Sequence, residues 1–376
     1  MPVNEKRITD QFLELVQIDS ETKHERQIAN HLIQLFEQLG LEVVEDDSAK
    51  VTNHGAGNLI CTLKGHVKDT PCIYFTSHMD TVVPGKNIQP VIKDGLITSD
   101  GSTILGADDK AGLAAIIETI RVLKEDQIAH GDIQFIITAG EESGLVGAKA
   151  LDLSKVKAEF GYALDSNGEV GELIVAAPTQ AQLVCVVHGK TAHAGLEPEK
   201  GISAISLAAE GIANMQLGRI DEETTANIGR IEGGEQTNIV CDRVELIAEA
   251  RSLSKDKVEA QVAHMKEALE KAAENHGGSA DVHVKWMYPG YKLNEKDEVV
   301  QVAQEAAQKL DLSGRMLQSG GGSDANIFAG HGIPTVNLAV GYEHIHTVHE
   351  NITIENLEKT ARFVVEIIQH VAQSNN

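Results

Sequence analysis

Acidic and histidine side chains follow several apolar runs of the chain, at the points where strands are expected to end. His78 and Asp80 follow CIYFTS, Glu141 and Glu142 follow IQFIITAG, and Asp165 follows FGYAL. Open α/β sheets bind ligands in the crevice beyond the carboxyl ends of their strands. Residues of this kind, gathered at one edge of a sheet, predict a metal site.

A further acidic pair, Asp108 and Asp109, lies between a glycine-rich approach and an apolar helical run, and EHIHTVHE adds three histidines near the C-terminus. Imidazole and carboxylate ligands without thiolates suit zinc, with cobalt and manganese as alternatives. The number of ligands suffices for two ions. Such a pair polarises a carbonyl and lowers the pKa of a water, and one member of the Glu141–Glu142 pair remains as a base.

Composition narrows the class of protein. The chain has 376 residues and a formal net charge of -24, which argues against nucleic acid and anionic membranes as partners. The four cysteines are isolated and predict buried thiols. The first residues lack the apolar core of a signal peptide, and no apolar stretch approaches the ~20 residues of a membrane span. We therefore expect a cytoplasmic enzyme.

The periodicity of apolar residues predicts two domains. Strands alternate with helices up to Ala177–Pro178 and again after Pro289, which indicates an α/β sheet with covered faces. Residues 178–288 instead predict antiparallel strands with two helices, as in a small α+β domain. The predicted organisation is a domain of residues 1–177 and 289–376 that carries an insertion of residues 178–288.

Seven motifs occur in a specific order: HMDTV, GADDKAG, TAGEESGLVGA, ALDSNG, GKTAHAG, TNIVCD and HTVHE. Together they resemble the M20 metallopeptidases, and within that family most closely the peptidase T (tripeptide aminopeptidase) branch. The resemblance covers essentially the whole chain. It implies a zinc-peptidase-like mixed sheet flanked by helices, with an inserted α+β, ferredoxin-like lid domain.

The resemblance also implies roles for individual residues. The metal ligands would be His78, Asp108, Glu142, Asp165 and His346, with Asp108 as the bridging carboxylate. Asp80 would orient the His78 imidazole, and Glu141 would be the general base. The bond from Asp108 to Asp109 is cis in relatives. His346 fits the family spacing, four residues before Glu350, which leaves His344 and His349 as local hydrogen-bonding residues.

Three further candidates lie in the inserted domain. His193 matches a family histidine that stabilises the oxyanion, often from the neighbouring subunit, and Asn238 and Arg251 match substrate-holding positions. A homodimer through this domain is implied. For Arg251 a surface ion pair is the alternative, and the loop Gly320–Asp324 is either a substrate-binding backbone or a turn.

The resulting expectation is a di-zinc aminopeptidase that releases the N-terminal residue of short peptides, in particular tripeptides. A metal-bridging water would attack the carbonyl, with Glu141 as general base. An M20-type carboxypeptidase, a dipeptidase or an N-acyl amino acid amidohydrolase would need the same metals. A binding protein with a dead site is the remaining alternative, although every expected ligand and the base are present.

Overall fold

The computed structural model describes residues 3–373, which form two compact units. The first unit contains the residues up to 175, residues 293–318 and the residues from 323 onward; the second contains residues 176–292 and 319–322. The α-helices are α1 (Glu5–Val16), α2 (Arg26–Gln38), α3 (Ala49–Thr52), α4 (Ala107–Glu125), α5 (Val146–Lys149), α6 (Ala204–Ala213), α7 (Lys255–Asn275), α8 (Glu298–Lys309), α9 (Asp324–Gly330) and α10 (Ile354–Gln373).

The strands lie between these helices along the chain, singly or in runs of two to four. They are β1 (Glu42–Glu45), β2 (Leu59–Leu63), β3 (Ile73–His78), β4 (Val91–Lys93), β5 (Leu96–Thr98), β6 (Ile133–Thr138), β7 (Phe160–Ser166), β8 (Leu173–Ala177), β9 (Thr179–His188), β10 (Gly218–Arg219), β11 (Thr224–Gly233), β12 (Arg243–Ser252), β13 (Ser279–Tyr288), β14 (Tyr291–Lys292), β15 (Met316–Gln318), β16 (Thr335–Ala339) and β17 (Asn351–Thr353).

The first unit is built on a mixed sheet in the order β1-β2-β6-β3-β7-β16-β8. Strands β6, β3, β7 and β16 run parallel to one another, whereas β1, β2 and β8 pair antiparallel with their neighbours. Every residue of β3 and β6 is buried, as expected for central parallel strands covered on both faces. The predicted α/β class with a mixed sheet is confirmed.

The parallel register aligns the carboxyl ends of the central strands. His78 is paired with Thr138, the last residue of β6, and Thr76 is paired with Ala163 near the end of β7. The residues that follow these strands therefore emerge at the same edge of the sheet. This alignment is what brings distant acidic residues of the sequence together.

Helix α4 packs against this sheet, between α1 and α10. It is buried along almost its whole length, and its first turn carries Asp108 and Asp109 with non-helical backbone angles. The peptide bond between these two residues is cis. In the described part of the chain, no helix is both long and apolar enough to cross a membrane.

Two features of the first unit lie outside the predicted elements. Strands β4 and β5 form a hairpin whose turn residues, Asp94 and Gly95, have φ values of 52° and 82°. Two positive φ angles are typical of the tight turns that join adjacent strands. Strand β8 comes from the apolar run LIVAA, directly before the predicted domain boundary.

The second unit contains, in chain order, β9-α6-β10-β11-β12-α7-β13. Its antiparallel sheet runs β10-β11-β12-β9-β13, and α6 and α7 pack against each other and against the sheet. One face of the sheet and the two helices enclose a separate apolar core that includes Leu183, Leu246 and Met265. Each unit therefore buries a core of its own.

An ion pair between Arg7 and Glu118 joins α1 to α4. The Arg7 guanidinium donates to both carboxylate oxygens of Glu118, at 2.7 and 2.8 Å, and also contacts Glu125. The Glu118 side chain is fully buried, whereas that of Glu125 is 58% accessible. A buried charge depends on its partner far more than an exposed one does.

We expect Glu118→Gln to lower the free energy of unfolding of the first unit by about 2 kcal/mol. This is below the loss for a wholly buried pair because the Arg7 side chain is 28% accessible. Glu125→Gln, the matched control on the same arginine, should cost less than about 1 kcal/mol. Urea unfolding measures both values, and equal losses would contradict the assignment of the stabilisation to burial.

Candidate metal centre

The carboxyl end of β3 carries the first candidate ligand, His78. His78 is buried, and its Nε2 lies 2.8 Å from Oδ1 of Asp108. Its Nδ1 lies 2.9 Å from the Asp80 backbone oxygen and 3.6 Å from the Asp80 carboxylate. The second nitrogen of a metal-binding imidazole is ordinarily held in this way by a carbonyl or carboxylate. Nε2 is therefore the atom of His78 that is directed at the acidic cluster.

Asp80 has a second set of contacts, to the segment after β6. Its Oδ1 accepts a hydrogen bond from the backbone N–H of Glu141 at 3.1 Å, and its Oδ2 accepts one from that of Glu142 at 3.2 Å. The Asp80 side chain is fully buried. The Asp80 carboxylate thus connects the His78 ring to the turn of residues 140–143 that carries both glutamates (the glutamate turn).

Asp108 lies between two imidazoles. Its Oδ1 faces Nε2 of His78, and its Oδ2 lies 3.3 Å from Nε2 of His346. Nε2 of His346 also lies 3.1 Å from Oε1 of Glu142. A carboxylate with one oxygen directed toward each of two histidines has the arrangement of a bridging ligand.

Asp165 completes the cluster from the end of β7. Its Oδ1 lies 3.9 Å from Nε2 of His78 and accepts a hydrogen bond from the Tyr342 hydroxyl at 2.9 Å. The Asn337 side chain of β16 accepts from the Asp165 backbone N–H and donates to its carbonyl. Both neighbouring segments therefore fix the direction of this carboxylate.

The cluster contains three groups whose ligand atoms lie within 4.8 Å of one another in the described residues. The groups are His78–Asp108–Asp165, Asp108–Glu142–His346 and His78–Glu141–Glu142. The first two groups share Asp108 and together contain all five predicted ligands. His344 and His349 belong to none of the three groups, and both are exposed.

Electrostatics show why these groups fit cations. Burial raises the pKa of Asp165 well above its usual range, and the nearby Asp108 carboxylate adds to this. Burial and the Asp165 carboxylate also raise the pKa of Glu141 well above its usual range. The hydrogen bonds of His346 with Asp108 and Glu142 raise the pKa of that imidazole to about 10. Crowded buried carboxylates repel one another, and divalent ions among them offset that repulsion.

Glu350 is a buried residue to which the sequence analysis assigned no role. One of its carboxylate oxygens accepts hydrogen bonds from the N–H groups of Leu105 and Gly106, and the other accepts from that of Asp108. Burial raises the pKa of Glu350 to about 7. The signal in the sequence is its place four residues after His346, in the motif HTVHE.

Lys110 is a second buried residue without an assigned role. Its Nζ donates to the Met79 carbonyl at 2.8 Å and to the Ser20 hydroxyl at 2.9 Å. Met79 lies between His78 and Asp80, so this contact ties α4 to the loop after β3. Burial lowers the pKa of Lys110 to about 8.

Two of the three candidates of the second unit, His193 and Asn238, lie on neighbouring segments, and the third, Arg251, lies apart from them. The His193 and Asn238 segments pair directly, since the N–H of Ala194 donates to the Asn238 carbonyl and His193 bridges to Ile239. Arg251 lies near the opposite end of β12, where its guanidinium pairs with the Glu249 carboxylate at 3.0 and 3.1 Å. The ion pair that the sequence analysis held as an alternative for Arg251 is therefore present.

The loop Gly320–Asp324 divides between the units. The Gly320 carbonyl accepts a hydrogen bond from Arg251 at 3.3 Å. Asp324 begins α9 in the first unit, where it is buried and accepts a hydrogen bond from the Thr138 hydroxyl at the end of β6.

We expect Glu350→Gln to lower the affinity for zinc about tenfold, because the amide NH2 cannot accept and leaves at least one of the three N–H groups around Asp108 without its acceptor. Glu343→Gln, an exposed glutamate of the same segment, should leave it unchanged. Competition with a chromophoric chelator measures the affinity of both variants. An unchanged affinity in Glu350→Gln would remove this residue from the support of the site.

Comparison with known proteins places this geometry in a family. The model of the family described as Peptidase family M20/M25/M40 matches residues 74–370. The crystal structure of aminopeptidase PepT from Bacillus cereus is 64% identical, over 98% of this chain and 99% of that one, with a TM-score of 0.94.

Two other relatives agree with this match. A tripeptidase structure from Staphylococcus aureus is 52% identical, over 98% of this chain and 99% of that one, with a TM-score of 0.96. Peptidase T of Salmonella typhimurium is 29% identical over 412 residues, which is 98% of this chain and 99% of the relative. The resemblance seen in the motifs is confirmed: the chain belongs to peptidase family M20/M25/M40, a metal-dependent family, and is a peptidase.

Proposed function

We propose that the protein is a di-zinc aminopeptidase that releases the N-terminal residue of short peptides, in particular tripeptides. The observation that carries the proposal is the position of Asp108, whose two oxygens face His78 and His346 separately. The similarity to an aminopeptidase and a tripeptidase supports the choice of substrate. We propose the cytoplasm as its location.

The proposed ligands are His78, Asp108 and Asp165 for one ion and Asp108, Glu142 and His346 for the other. Two zinc ions held there would polarise the scissile carbonyl and activate a water. Glu141 would accept a proton from the attacking water on its carboxylate and deliver it to the nitrogen of the leaving amine. Asp80 would hold the Glu141 backbone during this transfer through the hydrogen bond described above.

His193 has the tautomer that an oxyanion donor needs. Its Nδ1 accepts hydrogen bonds from the backbone N–H groups of Gly195 and Leu196, both at 3.1 Å. A neutral imidazole that accepts at Nδ1 carries its proton on Nε2. The exposed Nε2–H of His193 is therefore available to stabilise the negative charge that develops on the carbonyl oxygen.

The distance between His193 and Arg251 within one chain supports a homodimer. Arg251 pairs with Gln180 and Arg243 with His188, so eight residue steps of about 3.3 Å, or about 26 Å, separate the two ends of this strand pair. The pairing then continues outward to Ala194 and Asn238. An extended tripeptide spans only about 11 Å. His193 and Arg251 would therefore reach one peptide only from two copies of the chain.

The first test is hydrolysis of an unblocked tripeptide by the zinc-loaded protein, with the products separated by chromatography. We expect release of the N-terminal residue, complete loss after chelation, and recovery when zinc is added back. Glu141→Gln should lower kcat by about 10²- to 10⁴-fold, because the base is lost. The same variant should still bind two zinc ions per chain.

The products decide between the reactions of this family. A released C-terminal residue would indicate a carboxypeptidase, and cleavage of N-acyl amino acids alone would indicate an amidohydrolase. Because Glu141 also belongs to one of the three possible ligand groups, zinc content is measured in parallel. Loss of one zinc ion in Glu141→Gln would make this residue a ligand and would overturn its assignment as the base.

Mixing two inactive variants tests the homodimer. His193→Ala and Glu141→Gln should each be inactive alone. After subunit exchange, the mixture should recover about a quarter of the wild-type activity, because half of the dimers are mixed and each of these has one complete site. A mixture of Glu141→Gln with Asp80→Asn, both altered in the first unit, is the control and should remain inactive. No recovery in the first mixture would contradict the shared site.

A further inference from the structure

A chain of hydrogen bonds that includes no proposed ligand contacts the glutamate turn. The Ser143 hydroxyl lies 2.8 Å from Nε2 of His54 and 2.7 Å from the Thr22 hydroxyl. Thr22 is held beside Asp80 through its backbone, since its N–H donates to the Thr81 carbonyl at 2.9 Å. The three residues come from widely separated parts of the sequence.

The His54 ring also contacts the start of the same turn. Gly140 has a φ of 72°, and a Cβ at this position would lie 2.6 Å from Cδ2 and Nε2 of His54. The ring thus packs on the backbone just before Glu141 and hydrogen-bonds to the side chain just after Glu142. On its far side, Nδ1 lies 3.0 Å from the Thr52 carbonyl, which fixes the ring plane.

The ends of the turn are held separately. The Asn58 side chain accepts from the N–H of Ala139 and donates to the carbonyl of Gly147, and it also donates to the buried carboxylate of Asp46. Asn58 therefore positions the ends of the turn. The chain of His54, Ser143 and Thr22 acts on its middle, where the two glutamates lie.

We infer that His54, Ser143 and Thr22 are positioning residues for the peptidase site. Together with Asp80 they hold the backbone from Gly140 to Ser143, and so they determine where the carboxylates of Glu141 and Glu142 project. The inference rests on the proposed function, which gives Glu141 the proton transfer and Glu142 a ligand role. Small displacements of such groups lower turnover more than they lower substrate affinity.

The test compares variants that keep the volume and remove the hydrogen bond. Thr22→Val and Ser143→Ala each remove a hydroxyl, and His54→Phe keeps a ring beside Gly140 without its nitrogens. Each should lower kcat about tenfold, with KM within about twofold of the wild type, and weaken zinc binding about tenfold. Thr22→Ser, which keeps the hydroxyl, should restore both values. Ser102→Ala, on an exposed loop, is the control for loss of a serine hydroxyl.

A double variant tests whether the residues act as one chain. Thr22→Val combined with Ser143→Ala should lose at most about twofold more than either single variant, because residues of one network are not additive. Losses that multiply would overturn the inference. So would a Thr22→Ser variant as impaired as Thr22→Val, or a lower melting temperature with unchanged kcat and zinc affinity per folded molecule.

The two readouts separate this inference from the proposed function. If the wild-type protein cleaves no tripeptide, the proposed function fails, and zinc affinity alone decides on the positioning chain. Unchanged zinc affinity in Thr22→Val, Ser143→Ala and His54→Phe would then overturn it. A tenfold loss that Thr22→Ser reverses would support it.

Discussion

The concentration of negative charge at one edge of a parallel sheet is the constraint on which the rest of this structure depends. Four parallel strands end at this edge: His78 ends β3, Asp165 lies near the end of β7, and Glu141 and Glu142 follow β6. Asp108 lies in the first turn of α4, which packs against β3 and β7. Such a cluster is unfavourable when buried without cations, because each carboxylate raises the pKa of its neighbours. The surrounding residues must therefore hold these groups against their mutual repulsion.

Backbone amides provide much of that restraint. Asp80 accepts from two amides of the glutamate turn, and Glu350 accepts from three amides around Asp108. Two buried carboxylates thus have the same structural function on two sides of the cluster. The backbone N–H groups that donate to each carboxylate replace the hydrogen bonds to water that it loses on burial. In return, each carboxylate fixes the backbone that carries a proposed ligand. Their negative charge also adds to the field that favours divalent ions.

The sequence was sufficient to predict most strands of the sheet and, through the family motifs, the residues of the cluster. Apolar runs followed by His78, Glu141 and Asp165 indicate strand ends, and the parallel sheet makes those ends neighbours. The short strands β4 and β5 were missed, although Asp94–Gly95 is a recognised hairpin signal. Strand β8 was missed because its apolar run ends at the change of pattern that was interpreted as a domain boundary.

The supporting residues could not be predicted in the same way. Glu350 contacts residues more than 240 positions earlier in the chain, and Ser143 contacts Thr22 and His54 across gaps of 121 and 89 positions. A hydroxyl or a carboxylate in a polar segment has many possible partners, and a single sequence does not show which one lies nearby. Each ligand residue lies in a short sequence motif that can be recognised on its own. The residues that position the ligands are brought to them only by tertiary packing.

The two units would have different parts in the reaction, hydrolysis in the first and substrate selectivity in the second. The donor groups of the first unit would serve hydrolysis of any amide bond, since nothing in them distinguishes a tripeptide from an acylated amino acid. Selectivity must come from groups that bind the substrate away from the scissile bond, and the second unit offers Arg251 for this, about 26 Å or more from the proposed oxyanion donor His193. If both serve one substrate, association of two copies becomes part of substrate recognition. The length of the peptide would then be limited by the distance between His193 of one copy and Arg251 of the other.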